Sequence, residues 1–253
     1  MRRSIDRAGG DRSVRAAAAS ASALCGALLC GIALVHLAAQ LLGNVPLAGL
    51  TQVLLMPLLA AALWAGTTAP RPLMVRLALV ALGFSWLGDV IPRFVGGEPG
   101  FLGMLGSFLV AQLVFALAFW PRRGRSVLRS PLKVLPYLAV AVSIIVLCAP
   151  GAGSLLPTVT VYAAAIGAMA VLATGMGRRG GLGGALFVLS DALIALRAFG
   201  VLTLPAHETW VMATYITAQV LLILAVRSVS RTDPPEGDGT VPGGRSAERR
   251  RRG

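Results

Sequence analysis

Eight apolar blocks dominate the chain, each close to the roughly 20 residues that cross the hydrocarbon core of a bilayer. They run over residues 17–42, 47–66, 73–95, 101–120, 132–149, 155–175, 182–202 and 207–229. In lipid a backbone N–H or C=O has no water to bind, so only helices and closed barrels can span. Blocks of this length, rich in Ala and Leu, predict helices. Only 13% of the 253 residues are charged and 56% are hydrophobic, where a soluble domain carries about 25% charged residues. This composition excludes a disordered chain and argues against a soluble globular enzyme. The expected class is an all-α integral membrane protein with eight transmembrane helices in one domain, 16–230. A basic arm (1–15) precedes it, and a Pro/Gly/charge-rich tail (231–253) follows; both are expected to be disordered.

The formal charge of +13 would suggest nucleic acid in a soluble protein, but here the basic residues lie between the apolar blocks. Cytoplasmic loops of membrane proteins carry the excess of Lys and Arg. With the N-terminus inside, the arm, the pair Arg71 and Arg76, the run Arg122–Lys133, the pair Arg178 and Arg179, and the segment from Arg227 all face the cytoplasm. Together they hold 21 of the 23 basic residues. Only Arg93 and Arg197 fall near the outer side. Eight crossings with both termini cytoplasmic therefore fit the charge pattern, and no nucleic-acid partner is expected. Arginine greatly outnumbers lysine (Lys133 stands alone), as in GC-rich bacterial genomes.

The fourth and eighth blocks share an Ala-Gln pair, Ala111-Gln112 and Ala218-Gln219. The third carries Asp89 with Arg93-Phe94 after it, and the seventh carries Asp191 with Arg197 and Phe199 after it. Both features recur in the same order at similar spacing. This predicts two four-helix repeats of the same orientation, related by an axis along the membrane normal.

Of the acidic residues, only Asp89 and Asp191 lie well inside apolar blocks; Glu98 and Glu208 fall at the outer ends of helices and the rest in the terminal segments. An Asp at the centre of a membrane helix costs about 2.5–3.5 kcal/mol on insertion scales, so such residues face the bundle interior and mark function. Arg93, one turn after Asp89, offers a structural alternative, an i,i+4 ion pair; Asp191 has no such neighbour. Pro92 removes a helix hydrogen bond beside Asp89 and is expected to kink the third helix. Ser85, one turn before Asp89, and Ser190, Gln112 and Gln219 are candidate polar contacts to a substrate. Arg93 and Arg197 are candidate phosphate ligands, since guanidinium pairs bidentately with phosphate.

Other features read as structure. His36 and Tyr215 are expected in the core, and His207 at the interface. The run Gly175-Met176-Gly177-Arg178-Arg179-Gly180 matches G-x-G-x-x-G, but it follows a membrane helix rather than a strand, so no dinucleotide site is expected. Cys25, Cys30 and Cys148 sit in apolar blocks without a C-x-x-C pair or a His/Cys cluster, which points to neither zinc nor a disulfide framework.

Phe84-Ser85-Trp86-Leu87-Gly88-Asp89 resembles the F-S-x-x-G-D signature of the YhhN family of membrane proteins. Leu186-Phe187-Val188-Leu189-Ser190-Asp191-Ala192-Leu193-Ile194-Ala195 is similar to its L-F-x-x-S-D-x-x-[LI]-A signature, and Tyr215-Ile216-Thr217-Ala218-Gln219-Val220-Leu221 to its Y-x-x-A-Q-x-L segment. Leu54-Leu55-Met56-Pro57 also fits. The resemblance covers about residues 20–228. Many members have Thr-Lys-Pro where this chain has Thr51-Gln52-Val53, so any headgroup contact from that lysine is absent.

The family includes transmembrane lysoplasmalogenases, which hydrolyse the vinyl ether of a lysoplasmalogen to a fatty aldehyde and a glycerophospho-alcohol. The resemblance implies that Asp89 and Asp191 are the catalytic pair and that the partners are a lysophospholipid substrate and membrane lipid. A vinyl ether is labile to acid: slow proton transfer to carbon gives an oxocarbenium ion, water adds, and the hemiacetal collapses. Of two carboxyls crowded in a low-dielectric site, one keeps its proton while the other ionises. General acid catalysis of this kind contributes roughly 10²–10⁴-fold, and the reaction calls for no metal or cofactor. Parallel repeats with embedded carboxylates also suit a proton-coupled transporter, and a non-enzymatic lipid-binding protein is a third reading.

Overall fold

The computed structural model describes residues 2–232, with side chains from Ala16 onward. The chain is helical throughout: α1 (Arg2–Leu41), α2 (Val45–Ala65), α3 (Leu73–Phe94), α4 (Gly97–Phe119), α5 (Pro131–Ala152), α6 (Leu156–Ala173), α7 (Arg178–Ala198) and α8 (His207–Thr232). No strand occurs among the described residues. Of the tail expected at 231–253, Arg231 and Thr232 continue α8, and 233–253 lie outside the described residues.

Local chemistry sets the helix ends. The Asn44 side chain accepts from the Leu47 N–H at 3.2 Å, capping α2, and satisfies one of the orphan donors of a first turn. Gly177, at φ +85°, starts α7 at Arg178, four residues before the apolar block begins. Between α5 and α6 the chain turns through Gly153 at φ +50°, where L side chains clash.

Among the described residues, seven segments are long and apolar enough to cross a membrane. One of them, Pro131–Met176, has 46 residues and contains both α5 and α6, which pack against each other. The molecule is a multi-pass membrane protein. Large side chains such as Leu34, Leu132, Val146 and Leu182 point outward, as lipid permits and water does not.

The core forms where α2, α3, α4, α6, α7 and α8 meet, around Leu55, Leu63, Leu82, Phe115, Met169, Phe187 and Leu222. Consecutive helices pack in pairs, α4 and α7 both lie on α6, and α8 touches α1, α2, α3 and α7. α5 buries only Cys148 and Ala152 and lies at the rim. Side chain-to-backbone bonds fasten the layers. Ser22 Oγ donates to the Ala62 carbonyl at 2.9 Å, Trp86 Nε1 to that of Val53 at 3.0 Å, and Ser107 Oγ to that of Phe84 at 2.7 Å.

The glycine run at 175–180 serves packing: a Cβ on Gly175 would sit 2.6 Å from the Arg122 carbonyl oxygen, and one on Gly180 would strike that of Ala173. The three cysteines are free.

Candidate active site

Asp89 lies in the next-to-last turn of α3 and Asp191 in the second half of α7, and both line one cavity of about 590 Å³. The chain thus brings its two membrane-embedded acids together from positions 102 residues apart. α3 stays helical through Pro92 to Phe94, and Pro92 lines the same cavity, as do Arg93, Ser190 and Arg197.

Asp89 is buried and accepts two side-chain hydrogen bonds, from Gln52 Nε2 of α2 at 3.1 Å and from the Tyr215 hydroxyl of α8 at 3.0 Å. The alternative, an Asp89–Arg93 ion pair, is not made directly. Arg93 instead donates to Gln52 Oε1 at 2.6 Å, so Gln52 stands between the cation and the carboxylate. A glutamine can do this because its amide both donates and accepts. A Cβ on Gly49 would collide with the Arg93 guanidinium, so the glycine makes room for it. Asp191 accepts a short hydrogen bond from the Tyr162 hydroxyl of α6. Arg197, at the end of α7, is ion-paired with Glu208 at the start of α8.

The motif residues around the acids hold Tyr215. A Cβ on Gly88 would sit 2.7 Å from the Phe108 ring, so glycine lets Phe108 of α4 lie beside Asp89. Phe108 and Phe187 both meet Tyr215 edge-on, at centroid distances of 5.7 and 5.6 Å, a favoured geometry for aromatic pairs. Tyr215 is thereby clamped with its hydroxyl on Asp89. Core burial was expected for Tyr215, but not its contact with the acid.

The remaining sequence candidates separate. Ser190 lines the cavity and donates to the Val211 carbonyl at 3.1 Å. Ser85, Gln112 and Gln219 are fully buried and are not among the residues that line the cavity. Gln219 Nε2 donates to Ser85 Oγ at 2.9 Å, tying α8 to α3, while neither amide atom of Gln112 makes a hydrogen bond.

His207, the first residue of α8, packs inward against the protein. It is buried on the cavity wall, with Nε2 bonded to the Leu193 carbonyl at 3.1 Å and Nδ1 accepting from the Leu204 N–H at 3.2 Å. Its neighbours apolar in character, Leu193 and Leu204, gave no sign of this in sequence. His36 is in the core as expected, with Nδ1 within 3.0 Å of the Ala48 carbonyl and 2.9 Å of Thr51 Oγ1. Among the described residues, no three His, Cys, Asp or Glu side chains gather closely enough to hold a metal ion.

Fold and cavity together define a polytopic α-helical membrane protein with a two-carboxylate site between its helices. The chain belongs to the YhhN family, which matches residues 47–226, from the first turn of α2 into α8. It is similar to the lysoplasmalogenase TMEM86B of Rattus norvegicus, with 32% identity over 173 residues, which is 68% of this chain and 71% of the rat protein. No solved structure matches the chain.

Proposed function

We propose that this protein is a membrane lysoplasmalogenase, hydrolysing the vinyl ether of a lysoplasmalogen to a fatty aldehyde and a glycerophospho-alcohol with Asp89 and Asp191 as the catalytic pair. One observation carries the reading: the two acids of the apolar blocks line the same cavity in a chain related to a lysoplasmalogenase. Acid hydrolysis of a vinyl ether needs a proton donor and an anion beside the oxocarbenium carbon, and two carboxyls facing one space supply both. Arg93, with donors beyond the one used on Gln52, is the proposed ligand of the lipid phosphate.

The architecture belongs to the same proposal. Pro131–Met176 crosses twice, because at about 1.5 Å per residue its length is twice that of a single crossing, and α5 and α6 pack on one another. Eight crossings with both termini cytoplasmic follow. The four-helix repeat is supported by matching donors: Gln52 on α2 serves Asp89 on α3, and Tyr162 on α6 serves Asp191 on α7.

The pair is tested by substitution. Asp89→Asn and Asp191→Asn should each abolish most turnover while leaving the melting temperature nearly unchanged. The double variant should be little worse than either single one, since members of one catalytic unit are non-additive. Near-full turnover in either variant would remove that residue from the mechanism. Solute flux in proteoliposomes without product would establish a carrier instead.

A further inference from the structure

The cavity wall is uneven. It is polar around Gln52, Arg93 and Arg197, and apolar where Phe101, Met104, Phe108 and Ile194 close it. That apolar wall is shared with a second, narrow cleft of about 40 Å³, which adds Leu105, Val159, Ala195 and Phe199. Tyr162 and Asp191 are the polar side chains of this cleft, and Asp191 lines both spaces. The cleft lies between α4 and α7, over α6. Phe101 and Phe199 bridge its end edge-to-face at 6.3 Å, and Leu105, Ala195 and Phe199 are part-exposed at its rim.

We infer that the α4–α6–α7 cleft is the subsite for the hydrocarbon chain of a single-chain lipid, and that it orients the substrate so that Asp191 is the proton donor and Asp89 the counter-anion. This rests on the proposed lysoplasmalogenase reading. A cleft of about 40 Å³ takes only the first carbons of the chain, and its open rim lets the rest run out between the helices into lipid. The polar wall around Arg93 is left for the glycerophosphate.

The order of atoms in the substrate then assigns the roles. In a vinyl ether the alkene carbon bearing the chain is the one protonated, and cationic charge develops on the next carbon, which is bonded to oxygen. With the chain in the cleft, the first carbon faces Asp191 and the second lies toward Asp89. Asp89 accepts from two donors and is linked through Gln52 to the Arg93 guanidinium, whereas Asp191 accepts from Tyr162 alone. Asp191 passes its proton to carbon. Water adds to the cationic carbon and returns a proton to Asp191. The hemiacetal's bond to the glycerol oxygen breaks as its hydroxyl proton moves to that oxygen. The sum is vinyl ether plus water to aldehyde plus alcohol, with no redox change.

The test uses the purified full-length protein and a saturated ether lysophospholipid that cannot be hydrolysed, with a diazirine in the first carbons of its chain. Photolysis and peptide mapping should place the label near Leu105, Val159 and Ala195, and excess unlabelled lysolipid should compete it away. Ala195→Phe and Leu105→Phe, compared at equal folded fraction, should each cut that label at least five-fold. Label on α1, α2 or α3, or no competable label, would overturn the assignment even if the protein releases aldehyde from a lysoplasmalogen. Label in the cleft without aldehyde release would uphold the chain subsite and remove the hydrolase reading.

Discussion

A glutamine at position 52 can do what a lysine cannot: it accepts from Arg93 and donates to Asp89 through one amide. The chain thus keeps a cation at the cavity while departing from the Thr-Lys-Pro pattern, and Arg93 is the proposed phosphate ligand. Arg93→Gln should raise KM for a lysophospholipid about 10–100-fold and lower kcat less, as expected for losing a charge-assisted hydrogen bond worth about 1.5–3 kcal/mol. Arg197→Gln should have a smaller effect, because Arg197 already has Glu208 as a partner. An unchanged KM in the Arg93 variant would exclude it as a headgroup ligand.

Tyr215→Phe keeps the ring between Phe108 and Phe187 and removes only the bond to Asp89. It should therefore lower kcat about ten-fold or more and leave the fold intact; full activity would show that the hydroxyl has no part in the reaction. Asp89 and Asp191 were legible in the sequence because a charge inside an apolar block stands out. Tyr215 stood out as the head of the Y-x-x-A-Q-x-L segment, but its bond to Asp89 did not, nor did that of Tyr162 to Asp191, since the partners lie 126 and 29 positions away. Gln52 was visible only as a departure from the family motif.

At the scale of elements, apolar block length located the helices well, because lipid leaves the backbone no alternative. The ends were less legible: α4 begins at Gly97 and α7 at Arg178, both before their apolar runs, since hydrogen bonding continues where hydropathy has already fallen. Helix contacts were not legible either, and here glycine decides. A Cβ on Gly184 of α7 would lie 2.9 Å from the Ala170 Cα of α6, whereas one on Gly83 of α3 would meet nothing within 4 Å. Gly184→Ala should cost about 1–3 kcal/mol by forcing the helices apart. Gly83→Ala should be neutral or stabilising by up to about 1 kcal/mol, as for alanine replacing glycine in a helix. Thermal melting of the two variants in one detergent checks this, and equal melting temperatures would contradict the close α6–α7 approach. Reporter fusions near 122–130 and 178–180 should read cytoplasmic and one near 151–153 external; cytoplasmic signal at all three would mean that α5 and α6 do not cross separately.

For the whole molecule, the cavity lies toward the ends of α3 and α7 and the beginnings of α4 and α8, where Arg93, Phe101, Arg197 and Glu208 line it. On the proposed orientation, with both termini inside, these ends face outward, so substrate supplied to the outer leaflet should reach the acids without crossing the bilayer. Purified wild-type protein is offered a lysoplasmalogen and, separately, the same lysophospholipid with an ester-linked chain. A lysoplasmalogenase should release fatty aldehyde and glycerophospho-alcohol in equal amounts from the vinyl ether and no fatty acid from the ester. Release of fatty acid from the ester, or no aldehyde from the vinyl ether, would contradict that function.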